Sequence, residues 1–292
     1  MERRIRIMSH NVWNRDENTP QWQKIGQDCS AKVRVKSLVR VYKETMPDII
    51  GCQEVSSLMS DLLSQEFEKE KLRYAIVWGR FTPIIYRADK FELIDSEFHT
   101  YSEKIDGFDG EFNDVKSKAY NICVFREKQS GKVFIFANTH LWWKFDAEDT
   151  LHTDNETPRE YLQPHSDEAR EYQLGLLTAK IKEYVQKYAV PAVLVGDLNT
   201  GYNSKAVQTA LRVGFKHAHD IATEFVDKSV GYHYCFPDGF ETKYYEKPFE
   251  DAIDHILVFN ERKGMVKRFE RYSPDYYFPI SDHSPAFVDI AL

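Results

Sequence analysis

Little in this 292-residue chain suits it to wrapping nucleic acid or to crossing a membrane. Lysine and arginine number 39 against 46 aspartates and glutamates, a formal net charge of −7. There is no basic stripe of the kind that tracks a phosphate backbone. Tight non-specific DNA binding is disfavoured, whereas a negative site would draw a divalent metal. No apolar run approaches the length of a transmembrane helix. The four cysteines, Cys29, Cys52, Cys123 and Cys235, show no C-x-x-C spacing, which argues against a zinc site or a disulfide framework. Cys52 and Cys123 lie in apolar stretches and read as small core residues. Neither G-x-S-x-G nor H-E-x-x-H occurs, which sets aside serine hydrolases and thermolysin-like zinc enzymes. No Gly-, Ser- or Pro-rich linker and no short-period repeat divides the chain. With 42% hydrophobic and 14% aromatic residues to fill a core, residues 1–292 are expected to form a single domain and a monomer. The sequence passes almost directly into a strand, without an apolar leader or cleavage signature. The cytoplasm is the default expectation, with export the alternative if a leader precedes it.

What is present begins with Val193-Leu194-Val195-Gly196-Asp197-Leu198-Asn199-Thr200. An apolar, β-branched run stops at a glycine, followed by an acid and, two positions on, an amide. As a buried strand it carries Asp197 and Asn199 on the same side, because strand side chains alternate. An acid there can take a proton from a nucleophile, and the amide can hold that nucleophile or the developing charge. A strand ending in an ordinary turn explains the same residues.

Other segments repeat the pattern. Arg3 to Val12 alternates Ile5 and Ile7 with Arg4 and Arg6, a strand with one buried face ending at Asn11. Helical spacing over Ala31 to Thr45 is stopped by Met46-Pro47-Asp48. Asp48 to Glu54 is a short apolar strand with an acid, Glu54, at its end, readable as an acid at the start of the next helix (Ser57 to Glu68) or as a hard oxygen ligand for Mg²⁺ or Mn²⁺. Strands follow over Arg73 to Trp78, Thr82 to Arg87, Phe91 to Thr100 and Tyr120 to Glu127, with Ile105 to Lys118 a surface loop. The strand from Val133 to Thr139 delivers His140. Trp142 to Pro164 reads as a long polar insertion, at about 142–165, whose aromatics Trp142, Trp143 and Phe145 either stack on a ligand or pin the loop to the body. Ser166 to Tyr188 is a helix with Ser166 and Asp167 as capping candidates and Ala169, Leu176, Leu177, Ile181 and Val185 inward. Arg170 and Gln173 near its start either reach a site or lie on a solvated, salt-bridged face. A helix over Lys205 to Val213 closes at Gly214. Tyr232 to Phe240, with His233 and Cys235, has the look of a pocket rim, and Lys243 is either a phosphate contact or simply exposed. Asp254 and His255 open an apolar strand, where a buried acid needs a partner. Ser281-Asp282-His283 precedes the last strand, Ala286 to Ile290.

Asn11, Glu54, His140, Asp197, Asn199, Asp254, Asp282 and His283 thus recur at the ends of separate strands, and in a layered α/β domain such ends can converge on one rim. In this order the segments Asn11, Gln53-Glu54, Asn138-Thr139-His140, Gly196-Asp197-Leu198-Asn199, Ile253-Asp254-His255-Ile256 and Ser281-Asp282-His283 resemble the motifs of the endonuclease/exonuclease/phosphatase superfamily. That group includes deoxyribonuclease I-like nucleases, abasic-site endonucleases, sphingomyelinases, inositol polyphosphate 5-phosphatases and deadenylases. The resemblance covers nearly the whole chain. It implies an α/β fold, a four-layered sandwich of two mixed β-sheets flanked by helices. It further implies a Mg²⁺- or Mn²⁺-dependent hydrolase of phosphate esters. Glu54 would be the main metal ligand with Asn11 and Asp282 nearby, and Asp197 the base acting on water. Asn199 would hold the nucleophile or a phosphoryl oxygen. His283, positioned by Asp254, and His140 would face the phosphate. Trp142, Arg170 and His233 are weaker candidates for substrate contacts. The 5-phosphatases carry Cys-Asp-Arg where this chain has Ala252-Ile253-Asp254-His255, and no exposed apolar hairpin of the sphingomyelinase kind is recognisable. The leading expectation is a phosphodiesterase or phosphatase acting on a small or exposed ester. A DNA or RNA nuclease is the alternative, and a silent binding module the remaining one.

Overall fold

Adjacent residues of nearly every central strand enter different hydrophobic cores, and this alone dictates a layered molecule. The computed structural model describes residues 4–146, 159–225, 232–234, 245–247, 252–272, 274, 276 and 280–292. The first half runs β1 (Ile5–Asn11), α1 (Pro20–Lys24), α2 (Ala31–Thr45), β2 (Ile49–Gln53), α3 (Ser57–Lys69), β3 (Tyr74–Val77), β4 (Ile84–Arg87), β5 (Phe91–Thr100) and β6 (Ala119–Glu127). It continues with β7 (Val133–His140), α4 (Ser166–Tyr188), β8 (Ala192–Asp197), α5 (Lys205–Arg212), β9 (Lys216–His217), α6 (Ala218–Ile221) and β10 (Glu224–Phe225). The remaining strands are β11 (Tyr232–Tyr234), β12 (Tyr245–Lys247), β13 (Asp254–Phe259), β14 (Val266–Arg271) and β15 (Ala286–Ile290).

Two mixed sheets result. The first has the order β10-β14-β15-β1-β2-β4-β3 and the second β5-β6-β7-β8-β13-β9, with β11 and β12 paired separately. In the first, β1 lies parallel to β2 and antiparallel to β15. In the second, β8 lies parallel to β7 and antiparallel to β13. Ile7, Ile49, Ile84, Cys123, Phe125, Val193, Val195 and Ile256 fill the space between the sheets. Their neighbours Met8, Ile50 and Ile85 face outward onto Val35, Leu38, Tyr42, Met59 and Leu63 of α2 and α3. Ile122, Val124, Leu194 and Leu257 face the other way, onto Leu174, Leu177 and Ile181 of α4 and Val207 of α5. The period of two along each strand therefore yields four layers, helix–sheet–sheet–helix.

Several local expectations change. Because β1 is covered on both sides, all its residues from Ile7 to Asn11 are buried rather than one face only. Arg6 is accommodated by paired bonds of 2.7 and 2.9 Å to Asp289. The N-cap of α4 is His165, in the left-handed region, with no side-chain capping bond; the Ser166 hydroxyl instead donates to Gln163 O at 2.7 Å. On that helix Leu174 is buried while Leu176 faces outward. The segment Ile105 to Lys118 is not a pure surface loop, since Ile105, Phe112, Asn113 and Lys118 are buried. Asn113 closes it by donating to Tyr101 O and Lys118 O and accepting from Lys118 N, all between 2.7 and 2.9 Å. Residues 147–158 of the insertion, the side chain of His233, Cys235 and Lys243 lie outside the described residues.

Candidate active site

The two sheets are keyed together by buried amides one and two residues short of the site. Gln53 Nε2 donates to Asn138 Oδ1 at 2.7 Å, and Asn138 Nδ2 donates to Cys52 O at 2.6 Å and Pro83 O at 3.1 Å. An unmatched buried amide is costly, so this interlock fixes the register of β2 in one sheet against β7 in the other. Glu54 follows Gln53 directly, and His140 stands two residues beyond Asn138. Close backbone approach does the same for β8: a Cβ on Gly196 would lie 2.4 Å from Thr139 O, so only glycine lets Asp197 reach this depth beside β7.

Asp197 is the hub. Its Oδ2 accepts from Asn11 Nδ2 at 2.9 Å and stands 3.5 Å from His140 Nε2 and 3.8 Å from His283 Nε2. Its Oδ1 accepts from the Asn199 N–H at 2.9 Å. Asn11 Nδ2 also reaches Glu54 Oε1 at 3.2 Å, while Asn11 Oδ1 accepts from Trp13 N. Glu54 has left-handed backbone (φ 61°) and accepts from Asn14 N through Oε2. The α3 cap is Ser56, which accepts from Met59 N, so Glu54 is not the helix cap and its carboxylate is engaged by Asn11 and Asn14 instead. Asn199 is not on the strand: β8 ends at Asp197 and Asn199 adopts φ 51°. The alternation argument therefore fails for it, and a turn closed by Asp197 brings it in. Its Nδ2 donates to Leu141 O at 3.0 Å.

Two imidazoles flank the hub in contrasting settings. His283 Nδ1 lies 2.7 Å from Asp254 Oδ2, the partner that a buried acid at the start of β13 requires. Burial opposes charge on His283, but the carboxylates of Asp254, Asp197 and Asp282 outweigh it and hold the ring well above the ordinary histidine range. His140 is buried beside Lys118, whose Nζ lies 2.8 Å from its Nε2. Burial, reinforced by Lys118 and His283, keeps His140 well below that range, hence neutral. Lys118 itself is pushed down to about 8 by burial, against the pull of Glu54, Asp197 and Asp114.

The acids are under electrostatic stress. Burial, with Asp254 adding to it, pushes Asp197 up to about 6. Desolvation, with Glu54 adding to it, pushes the half-buried Asp282 up to about 7. Ligand atoms of Glu54, His140 and Asp197 all lie within 4.8 Å of one another. Crowded carboxylate oxygens whose charge is incompletely balanced are a fit for a hard divalent cation. Asp197, Asp254 and His283 form a second such group, but there the His283–Asp254 hydrogen bond already satisfies the ring.

Two contributors carry no signal in sequence. Lys118 sits in a polar segment that gives no hint of burial. Arg34, on α2, is 2% exposed and donates to the carbonyls of Val12, Trp13, Arg15, Cys29 and Ile280 at 2.6 to 2.9 Å. It ties the chain after Asn11 to the chain before Ser281, whose Oγ donates to Asn11 O at 2.7 Å. Trp142 and Arg170 are not brought to the site. Trp142 is buried, with its backbone N–H on Gln173 Oε1 and its indole N–H on Ser166 Oγ. Arg170 is buried and donates to Trp142 O, Lys144 O and Asp167. Both pin the start of the insertion to α4.

Two mixed sheets flanked by helices form the fold of the endonuclease/exonuclease/phosphatase proteins, the deoxyribonuclease I-like fold. An endonuclease/exonuclease/phosphatase from Bacteroides vulgatus superposes over 100% of both chains with TM-score 0.70 at 24% identity. A mannosyl-6-phosphatase of Bacteroides thetaiotaomicron covers 99% of this chain and 100% of its own, with TM-score 0.68 at 21% identity. In sequence, the chain is 22% identical to the 3'-5'-exoribonuclease subunit Ccr4 of the Emericella nidulans CCR4-Not complex, across 90% of this chain. The chain spans about half the length of that curated relative, 48% of it. No family model matches the chain. Among the described residues no helix is long and apolar enough to cross a membrane.

Proposed function

We propose that residues 1–292 act as one catalytic domain that hydrolyses phosphate esters with a divalent cation, Mg²⁺ or Mn²⁺. The observation that carries this reading is the Asp197 carboxylate, buried between a charged and a neutral imidazole and next to the acids Glu54 and Asp282. Glu54 and Asp282 would hold the cation, with Asn11 beside them, and the bound ion would supply Lewis-acid charge to a phosphoryl oxygen. Asp197, anchored by Asn11 and the Asn199 N–H, takes the proton from the attacking water. The remaining amide hydrogen-bonding capacity of Asn199 orients that water or a phosphoryl oxygen. His283 keeps its Nδ1 proton on Asp254, so its Nε2–H is directed to the charge building on the phosphoryl oxygens. At His140 the Nε2 faces Lys118, so the lysine ammonium supplies the second positive group and the imidazole positions it. No covalent intermediate is needed; positioning and charge stabilisation suffice for in-line displacement.

The mannosyl-6-phosphatase likeness supports a small phosphate ester, consistent with the net charge of −7. The Ccr4 likeness supports the second reading, a nuclease acting at the end of a single strand. Nitrophenol release from a phosphodiester and the matching monoester with Mg²⁺, beside a plasmid-nicking assay and the shortening of an end-labelled single-stranded RNA, tests both. Turnover of either ester, lost with chelator and in His283→Ala and Asp197→Ala, supports the first. Nicking or RNA shortening without ester turnover supports the second, and no activity on any of the four substrates counts against both.

A further inference from the structure

Of the five tryptophans, Trp78 alone is exposed, at 46%. It lies just beyond β3 and borders an open cleft of about 290 Å³ together with Val55, Ser57, Arg80 and Phe81. The cleft adjoins the site through the chain itself. Val55 follows Glu54, and its N–H donates to Phe81 O at 3.2 Å, joining the end of β2 to the cleft wall.

The turn that presents Trp78 and Arg80 is held firmly from beneath. A Cβ on Gly79 would stand 2.5 Å from Asn121 Nδ2 and 3.0 Å from Thr82 O. Gly79 O accepts from both Thr82 N and Thr82 Oγ1 at 2.9 Å. Arg80 sits at φ 50°, an uncommon conformation for a side-chain-bearing residue. Among the described residues neither the indole nor the guanidinium has a hydrogen bond, ion pair or ring contact, and the Ser57 hydroxyl is similarly unengaged. A firmly held turn thus displays an aromatic face and a five-donor fork in a cleft that begins one residue beyond Glu54, and none of the described residues engages them.

We propose that this cleft binds a nucleobase, which makes the substrate a nucleoside phosphate ester; the inference rests on the hydrolase reading and gives its substrate class. The lining decides between flat rings and sugars. Trp78, Phe81 and Val55 offer π-face and apolar surface, and among the described residues that line it Ser57 and Arg80 are the polar side chains. A hexose would find protein partners for only one or two of its hydroxyls in this open cleft, the rest staying in water and adding nothing to binding. A base needs a stacking face and one or two groups for its edge, and the guanidinium fork matches the paired acceptors of guanine. A single stacking platform without a basic groove also fits one nucleotide rather than a long strand.

The test is calorimetric titration of the 292-residue chain with GMP, glucose 6-phosphate and inorganic phosphate, repeated on Trp78→Ala, Trp78→Phe and Arg80→Ala. GMP is expected to bind roughly tenfold or more tightly than the other two. Trp78→Ala is expected to remove that margin, Trp78→Phe to restore most of it, and Arg80→Ala to remove part, with phosphate binding unchanged throughout. Equal affinity for all three ligands, or GMP affinity indifferent to Trp78→Ala, overturns the base site. Nitrophenyl-ester turnover of the same variants separates the two claims. Turnover without a Trp78-dependent margin for GMP leaves the hydrolase and removes the base site. A Trp78-dependent margin without turnover of any ester keeps the site and removes the hydrolase.

Discussion

His283 and His140 approach the same oxygen of Asp197, at 3.8 and 3.5 Å, yet their surroundings drive them in opposite directions. The first has a carboxylate at 2.7 Å behind it and is held charged. The second has an ammonium at 2.8 Å and is held neutral. Burial is similar for both, so the difference lies in the partner that each strand end supplies: Asp254 from β13 for His283, Lys118 before β6 for His140. One imidazole is held as a cationic donor and the other sits against an ammonium, so two positive groups lie close to Asp197. Residue type alone does not assign these roles; the neighbour does.

The strongest way to break the contrast is to remove its common centre. Asp197→Asn is expected to lower turnover of bis(p-nitrophenyl) phosphate by roughly 10³-fold or more, and to lower the His283 pKa, as the loss of one supporting charge should. His283→Ala removes the charged side and should cost roughly 10²- to 10³-fold in kcat with a smaller change in KM. Asp254→Asn leaves the ring but withdraws its anchor. His283 is charged below its raised pKa, so activity falls as pH rises through that value. With Asp254→Asn that alkaline limb should move to lower pH in the kcat/KM profile. The acid limb, where Asp197 becomes protonated as pH falls through about 6, should remain, displaced downward wherever a bound cation favours the carboxylate. Lys118→Met has the smallest expected effect, roughly tenfold in kcat/KM. It should sharpen the comparison in another way: the His140 titration followed by NMR should move up toward the ordinary histidine value.

How far the molecule was legible from its residues follows the same division between periodic and non-periodic signals. The strands and long helices could be read because their apolar periods are set by cores on both faces of each sheet. Ala31–Thr45, Phe91–Thr100, Ser166–Tyr188 and Ala286–Ile290 coincide with the elements found. Strand ends then named the residues that converge: Asn11, Glu54, His140, Asp197, Asp254 and His283 stand within one network. Asn199 arrives by a turn rather than by alternation, because the chain leaves the strand at Asp197. Lys118 and Arg34 were invisible, since a charged residue in a polar segment or on a helix looks solvated until the fold closes over it. Trp142 and Arg170 show the converse. An aromatic and a cation near a long insertion suggest ligand contacts, yet both are consumed in docking the insertion onto α4.

The most direct test of hydrolysis by an Asp197-activated water is to run the reaction with Mg²⁺ in ¹⁸O-labelled water and locate the label by mass spectrometry. The account predicts one labelled oxygen in the phosphoryl product, none in the released alcohol, and loss of labelled product in Asp197→Asn. Label in the alcohol, or labelled phosphoryl product at an undiminished rate in Asp197→Asn, would contradict it.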